Sequence, residues 1–262
     1  MAEGSPLIRA GVFQSAGDLG DPAARFAALE AALQGAELDL LLCPELFLSG
    51  YNAGQAIRDR AEPVNGPFAA RVSGLARRTG TAIAYGFPEP GPSGIYNAAA
   101  CFGPDGTLLA HRRKRVLPPG FEVEMFVPGD SPLTMFEMAG AKVALVICYE
   151  IEFPESARAA ARAGADILLV PTAISTTWPL VPEKLVPSRA FENGLWLLYA
   201  NHAGHENGID YAGQSCIVAP FGEVVARAAV DSELIMAGID HSEVERARER
   251  LPFLKDLPQL GF

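Results

Sequence analysis

The sequence predicts an α/β fold in which two sheets pack face to face with helices on their outer faces, a four-layer α-β-β-α sandwich. Three observations predict it. Short apolar runs rich in β-branched residues alternate with stretches of helical composition. Several of those runs are apolar at every position, as strands covered on both faces are. A hairpin pattern also occurs twice. Tyr96-Asn97-Ala98 leads through a run to Phe102, a Gly-Pro-Asp-Gly turn and residues 107–110, and Tyr211-Ala212-Gly213 leads through a run to Pro220, then Phe221-Gly222 and residues 223–226. The two copies divide the chain into two α/β halves that face each other.

Residues 7–14 read as a first strand. Asp21-Pro22 then caps a helix to residue 33, with Phe26, Leu29, Ala32 and Leu33 on one face. Residues 38–43 are a second buried strand, which stops at Pro44-Glu45. A carboxylate at the C-terminal end of a buried strand lies where ligands bind in open α/β sheets, although a glutamate there is as often an ordinary surface residue. Apolar neighbours on both sides of Glu45 argue for burial, and a buried carboxylate needs a partner.

Gly66-Pro67 opens a helix to residue 79, followed by a strand over 81–87. Residues 96–102 and 107–116 are two more strands, and the Asp105-Gly106 between them is a strong hairpin signal. The second arm ends in His111-Arg112-Arg113-Lys114-Arg115. Arg113 and Arg115 suit a solvated strand edge. Period two puts Arg112 and Lys114 on the opposite face, from which one of the set can point inward. Residues 118–129 then form a Pro/Gly-bounded loop with Glu122, Glu124 and Phe126, and long loops in compact domains are often functional.

Residues 142–147 read as a buried strand. At Cys148 the character changes, and Pro154-Glu155-Ser156 opens an Ala/Arg helix over 157–163. The thiol therefore sits at a sharp strand-to-helix junction. Such an elbow holds a nucleophile clear of the sheet, beside backbone N–H groups free to receive an oxyanion. A free cysteine is more often a small core residue, and this stretch alone leaves both readings open. A strand over 166–171, an irregular stretch over 172–182 with Trp178, a helix over 183–193 and a strand over 195–201 follow. A hairpin over 211–219 and 223–229, a strand over 234–239, a charged helix over 242–250 and a tail over 252–262 complete the chain.

The 262 residues, 49% hydrophobic and 20% charged, suit one domain spanning 1–262. A net charge of -10 repels phosphate backbones, so no nucleic-acid partner is expected. Met1 to Pro6 is polar, without the pattern of a secretory leader, and no apolar run approaches the roughly 20 residues of a membrane span. Cys43, Cys101, Cys148 and Cys216 are scattered, with no zinc spacing and no need for disulfides at this size, which fits a reducing cytoplasm. Glycine-rich nucleotide motifs are absent, and neither cofactor nor metal is expected.

Three segments carry a resemblance. Pro44-Glu45-Leu46-Phe47-Leu48-Ser49-Gly50-Tyr51, Arg113-Lys114-Arg115-Val116-Leu117-Pro118 and Ile147-Cys148-Tyr149-Glu150-Ile151-Glu152-Phe153-Pro154-Glu155 are similar to the three signature blocks of the nitrilase (carbon–nitrogen hydrolase) superfamily. Glu122 with Phe126-Val127-Pro128-Gly129 resembles its acidic-loop block, and Arg189-Ala190-Phe191-Glu192-Asn193 and Gly213-Gln214-Ser215 also match. The resemblance runs in order over almost the whole chain. It implies the four-layer sandwich, a Glu45–Lys114–Cys148 triad and homo-oligomers (a dimer or higher) that pair sandwiches into an eight-layer unit. It makes Glu122 the fourth polar residue of the site, with Glu124 as the alternative.

The chemistry of these residue types agrees with the implied roles. A free thiol is little ionised at pH 7, so Cys148 needs a base, and Glu45 can take its proton. Lys114 and the backbone N–H of Tyr149 can receive the oxyanion. The expected reaction is hydrolysis of a small amide through a thioester.

The compact chain looks more like the amidase branches than the longer true nitrilases. The tail segment Leu251-Pro252-Phe253-Leu254-Lys255-Asp256 also resembles an amidase branch. In many relatives that cleave carboxylate-bearing amides, the position of Glu152 is an arginine. An acidic residue there would repel an anion, so small neutral or cationic amides are the expected substrates. Tyr51, Glu152, Phe153 and Trp178 are the candidate substrate-binding residues, though each aromatic also suits plain core. An N-carbamoyl amine or amino-acid amidohydrolase, or a nitrilase, would use the same triad. A Cys–His amidotransferase would instead need His202 or His205, whose Gly/Asn-rich context suggests a turn.

Overall fold

A computed structural model describes residues 7–130 and 133–261. The polar N-terminus, Met1 to Pro6, and Phe262 lie outside the described residues.

The first sheet has seven strands. β1 (Ile8–Ala16), β2 (Leu40–Leu42), β3 (Ala82–Gly91), β4 (Gly94–Phe102) and β5 (Leu108–Arg113) follow in spatial order. On its other side β1 pairs with two strands from the far end of the chain, β10 (His202–Ala203) and β15 (Glu233–Ile239). The second sheet runs in the order β14 (Val224–Arg227), β13 (Cys216–Val218), β9 (Trp196–Ala200), β8 (Ile167–Pro171), β7 (Ala141–Leu145) and β6 (Thr134–Met138). A short ribbon, β11 (His205–Glu206) with β12 (Ile209–Asp210), stands apart. In both sheets the central strands are parallel and the hairpins lie at an edge. The two hairpins read from the sequence are β4–β5 and β13–β14, one in each sheet.

The layers follow from which side chains each face buries. Val12, Leu40, Leu42, Ala84, Val143, Leu145, Leu169 and Leu198 meet between the two sheets. On the first sheet's outer face, α1 (Pro22–Leu33) and α3 (Pro67–Thr79) bury Phe26, Leu29, Phe68 and Val72. On the second, α5 (Pro154–Arg162) and α6 (Val186–Phe191) bury Ala157, Ala160, Val186 and Ala190. Helix starts sit where the sequence puts them. Asp21 accepts from the Ala24 N–H, and Pro67 and Pro154 open their helices.

Several stretches differ from expectation, among them a short unforeseen helix, α2 (Gln55–Asp59). The loop over 118–129 contains α4 (Phe121–Met125), and Thr134–Met138 forms an unforeseen edge strand. The helix expected over 183–193 begins as one wide π turn, Val181–Leu185, before α6. The strand expected over 211–219 shrinks to β13, because Gly213 and Gln214 adopt left-handed backbone with φ of 60° and 53°. α7 (Ser242–Arg250) forms where expected, and a short helix α8 (Phe253–Asp256) and a 3₁₀ turn, Leu257–Leu260, lie within the expected tail.

Candidate active site

Glu45 lies three residues beyond β2, at the carboxyl end of a central strand. Gly86 on β3 makes the approach possible, because a side chain there would strike the Glu45–Leu46 peptide. Its N–H donates to the Pro44 carbonyl at 3.1 Å, and the Glu45 N–H donates to the Thr172 carbonyl of the opposite sheet at 3.3 Å. Lys114 follows β5 directly. Its N–H donates to the Asn97 carbonyl (2.8 Å), and its carbonyl accepts from Gly129 (2.7 Å). A side chain at Gly129 would collide with Arg113, so glycine lets the acidic loop press onto the lysine's peptide.

Cys148 opens a 3₁₀ turn, Cys148–Glu152, three residues beyond the second-sheet strand β7, which ends at Leu145 rather than at the expected residue 147. Its φ is +47°, a strained left-handed conformation for a residue with a Cβ. The thiol thus stands at a true elbow. At the start of such a turn the first N–H groups, Tyr149 among them, have no acceptor upstream in the helix.

The side chains converge. Lys114 Nζ donates to Glu45 Oε1 at 2.6 Å and to Glu122 Oε1 and Oε2 at 2.8 and 3.0 Å. Asn97 Nδ2 donates to both carboxylates, to Glu45 Oε1 at 2.8 Å and to Glu122 Oε2 at 3.2 Å. Tyr51 donates its hydroxyl to Glu122 Oε1 at 2.7 Å. Glu45, Lys114, Glu122 and Asn97 are all buried. Of the two loop glutamates the site holds Glu122, whereas Glu124 is exposed.

Two carboxylates share one ammonium, and the titration reflects it. Burial pushes Glu45 up to about 7; Lys114 pulls it back and Glu122 pushes it further up. Burial would lower Lys114, but Glu45 and Glu122 outweigh it and hold the ammonium charged. The Cys148 thiol is pushed up by burial first and by Glu45 second, with Lys114 opposing. At rest the site therefore holds a neutral thiol near a carboxyl group that titrates close to neutrality. Glu45 Oε2 has no close hydrogen-bond partner among the described residues, although the nearby Cys148 thiol lowers the Glu45 carboxyl as a hydrogen-bond donor would.

A cavity of about 410 Å³ opens onto Cys148, lined by Tyr51, Phe121, Tyr149, Glu152, Ile174 and Trp178 among others. Three of the four residues expected at the substrate pocket thus line it. Phe153 does not, and packs edge-on against Tyr149 with ring centroids 5.1 Å apart. Glu152 is half-buried; burial raises its carboxyl, with Lys114 and Arg189 opposing. Among the described residues no donor reaches its carboxylate, since Arg189 bonds only its backbone carbonyl.

His202 is buried in β10 rather than on a turn. Its Nε2 meets the Glu45 carbonyl at 2.8 Å, and burial pushes its pKa down to about 3, so it stays neutral. His205 is exposed and pairs with Asp210. Sequence reasoning also missed the roles of Asn97 and of Glu150, which takes a two-pronged ion pair from Arg112. Both stand within the motifs named above, but only their neighbours drew attention. Among the described residues no cluster of His, Cys, Asp and Glu is arranged to hold a metal ion.

Residues 9–249 match the carbon–nitrogen hydrolase family. A Pseudomonas protegens hydrolase named for its place in the pqqF 5′ region is 41% identical, covering 87% of this chain and 80% of that protein. An (R)-stereoselective amidase of Pseudomonas sp. is 33% identical, over 84% and 80%. The amidase of Nesterenkonia sp. AN1 superposes with a TM-score of 0.83 at 33% identity. One mutant of it, covering 94% of this chain and 95% of its own, shows covalent addition of the acetamide moiety of fluoroacetamide at the active site cysteine. Another, covering 95% and 97%, is in complex with butyramide.

Proposed function

The chain belongs to the carbon–nitrogen hydrolase family and is an amidase-type hydrolase, and from that premise we propose that it cleaves small neutral or cationic carboxamides to acid and ammonia through a thioester on Cys148. The observation that carries this reading is the convergence of Glu45, Lys114 and Glu122 within electrostatic reach of the elbow thiol, which itself lines a cavity.

Glu45 takes the thiol proton as sulfur attacks the amide carbon. Lys114 and the Tyr149 N–H receive the developing oxyanion. As the tetrahedral intermediate collapses, Glu45 returns that proton to nitrogen, the C–N bond breaks and ammonia leaves. Glu45 then takes a proton from water, hydroxide attacks the thioester carbon, the C–S bond breaks and the proton returns to sulfur. The acid departs and the free thiol is restored. Glu122, held by Tyr51 and Asn97, keeps Lys114 in place.

The relatives' amide ligands support the substrate class, and the unpaired Glu152 carboxylate in the cavity argues against anionic amides. The same triad would serve an N-carbamoyl amidohydrolase or a nitrilase. A panel of amides, carbamoyl compounds and nitriles, with ammonia and carbon dioxide measured, tests the assignment. Ammonia alone from amides supports it, whereas turnover confined to nitriles or carbamoyl compounds defeats it.

Self-association as a dimer or higher is part of the reading. The partly exposed Phe191 and Phe253, packed edge-on, with exposed Leu260 on the same cleft, are apolar surface for a second copy to cover. Four unpaired, buried cysteines support a cytoplasmic location. No helix among the described residues is long and apolar enough to cross a membrane. The acidic surface argues against nucleic acid.

A further inference from the structure

We infer that Glu150, with Arg112, is a positioning residue that fixes the spacing between the Cys148 elbow and Lys114; the inference rests on the reading of those two as reacting groups. Glu150 is two residues past the thiol and Arg112 two residues before the lysine, so each belongs to the segment of one reacting group.

The geometry is a closed set of four hydrogen bonds on one carboxylate. Arg112 Nε donates to Oε2 at 3.0 Å and Nη2 to Oε1 at 2.7 Å, a two-pronged pair. The Ile147 N–H donates to Oε2 at 2.7 Å, and the Arg115 N–H to Oε1 at 3.0 Å. Ile147 immediately precedes Cys148, and Arg115 immediately follows Lys114. One carboxylate therefore holds the peptides beside both reacting residues. Those residues come from different sheets, β7 in one and β5 in the other. Both side chains are buried, at 2% and 3% exposure, where the bonds face little competition from water. Cys148 also needs such support, because its left-handed backbone persists only where its surroundings over-determine it.

Glu150 faces no substrate. It is outside the cavity lining, and its four acceptor bonds are spent on the protein. Its effect on the reaction passes through Cys148 and Lys114. A displacement of about 1 Å at a reacting group costs on the order of a hundredfold in rate.

The test separates positioning from stability. Replacing a buried ion pair by apolar residues of similar volume is often neutral or stabilising, whereas removing one partner is costly. The double variant Arg112→Met/Glu150→Leu removes the charge pair together but leaves the Ile147 and Arg115 N–H groups without their acceptor, so it should fold with a lowered melting temperature and, while folded, lose at least about tenfold in kcat on a turned-over amide with KM little changed. Its Cys148 should react more slowly with iodoacetamide, because the thiol has lost its alignment with Glu45. Wild-type kcat and alkylation rate in a folded double variant would overturn the inference. Should that variant not fold, Glu150→Gln takes its place, keeping the shape and losing the charge. Lower kcat and slower alkylation in Glu150→Gln then support the inference, and wild-type values of both overturn it. If the wild-type protein turns over no amide, the amidase reading fails by itself. The iodoacetamide rate then still decides whether Glu150 aligns the thiol.

Discussion

Two buried ion clusters sit side by side in this molecule, and they are built on opposite principles. Around Glu150 one guanidinium meets one carboxylate, and two backbone N–H groups take up its remaining acceptor capacity. Around Lys114 two carboxylates meet one ammonium, Glu45 is pushed up to about 7, and its Oε2 is left without a close partner. The balanced cluster is spent on holding the chain. The unbalanced one keeps a proton acceptor in reserve beside a thiol, an imbalance a purely structural pair would not carry.

Breaking the unbalanced cluster at its centre should have the largest effect. Lys114→Met removes an oxyanion donor, worth about 2.7–4 kcal/mol of transition-state stabilisation, and leaves two buried carboxylates unpaired. Amide kcat should fall by at least about 10²–10³-fold, and thermal melting should show a loss of roughly 3–5 kcal/mol. Retained activity would show that Lys114 does not meet the reacting oxygen. Glu45→Gln removes the base but keeps the shape, so kcat should fall by about 10²–10⁴-fold with only a modest change in melting.

Glu122→Gln sharpens the comparison by restoring charge balance. Glu45 acts only when deprotonated, so kcat/KM should fall with acidification through about 7 in the wild-type protein. Glu122 pushes Glu45 up, so its neutralisation should move that limb to lower pH. A limb that stays in place would mean another group sets it.

The smallest effect belongs to Glu89 of β3, a buried carboxylate paired with the partly exposed His111 and Arg113 of β5. Burial works against Glu89, but hydrogen bonds from Arg113 and His111 hold it down to about 2. A depressed carboxylate contributes stability above its ordinary value near 4.5 and loses it as pH falls toward 2. Glu89→Gln should cost about 1–3 kcal/mol at pH 7, with the gap narrowing between about pH 4.5 and 2 in melting experiments. A gap that stays as wide at low pH would contradict the assignment.

The same contrast explains what the sequence could reveal. Periodicity and punctuation exposed the layers, because Asp21, Gly66-Pro67 and Asp105-Gly106 act locally. Glu45 and Cys148 were legible because each ends an apolar run, and a polar residue there needs a reason, whereas Lys114 lies in the cationic run 111–115 and was singled out by the family resemblance. Asn97 and Glu150 were not legible, because their meaning depends on partners 52 and 38 residues away. Period two put Arg112 and Lys114 on a common face, but the structure buries both, Arg112 against Glu150 and Lys114 against Glu45 and Glu122. The edge strand Thr134–Met138 escaped for a related reason, since only Phe136 is buried along it. Phe153 was misplaced because the 3₁₀ turn points Tyr149 and Glu152 at the cavity and leaves the next ring outside.

The central claim is that Cys148 carries the acyl group. Intact-mass analysis of protein quenched during turnover of a small amide, followed by peptide mapping, tests it directly. The account predicts an added acyl mass on the peptide containing Cys148, which hydroxylamine discharges and which is absent from Cys148→Ala. Amide hydrolysis by Cys148→Ala at the wild-type rate, or an acyl group mapped to another residue, would contradict it.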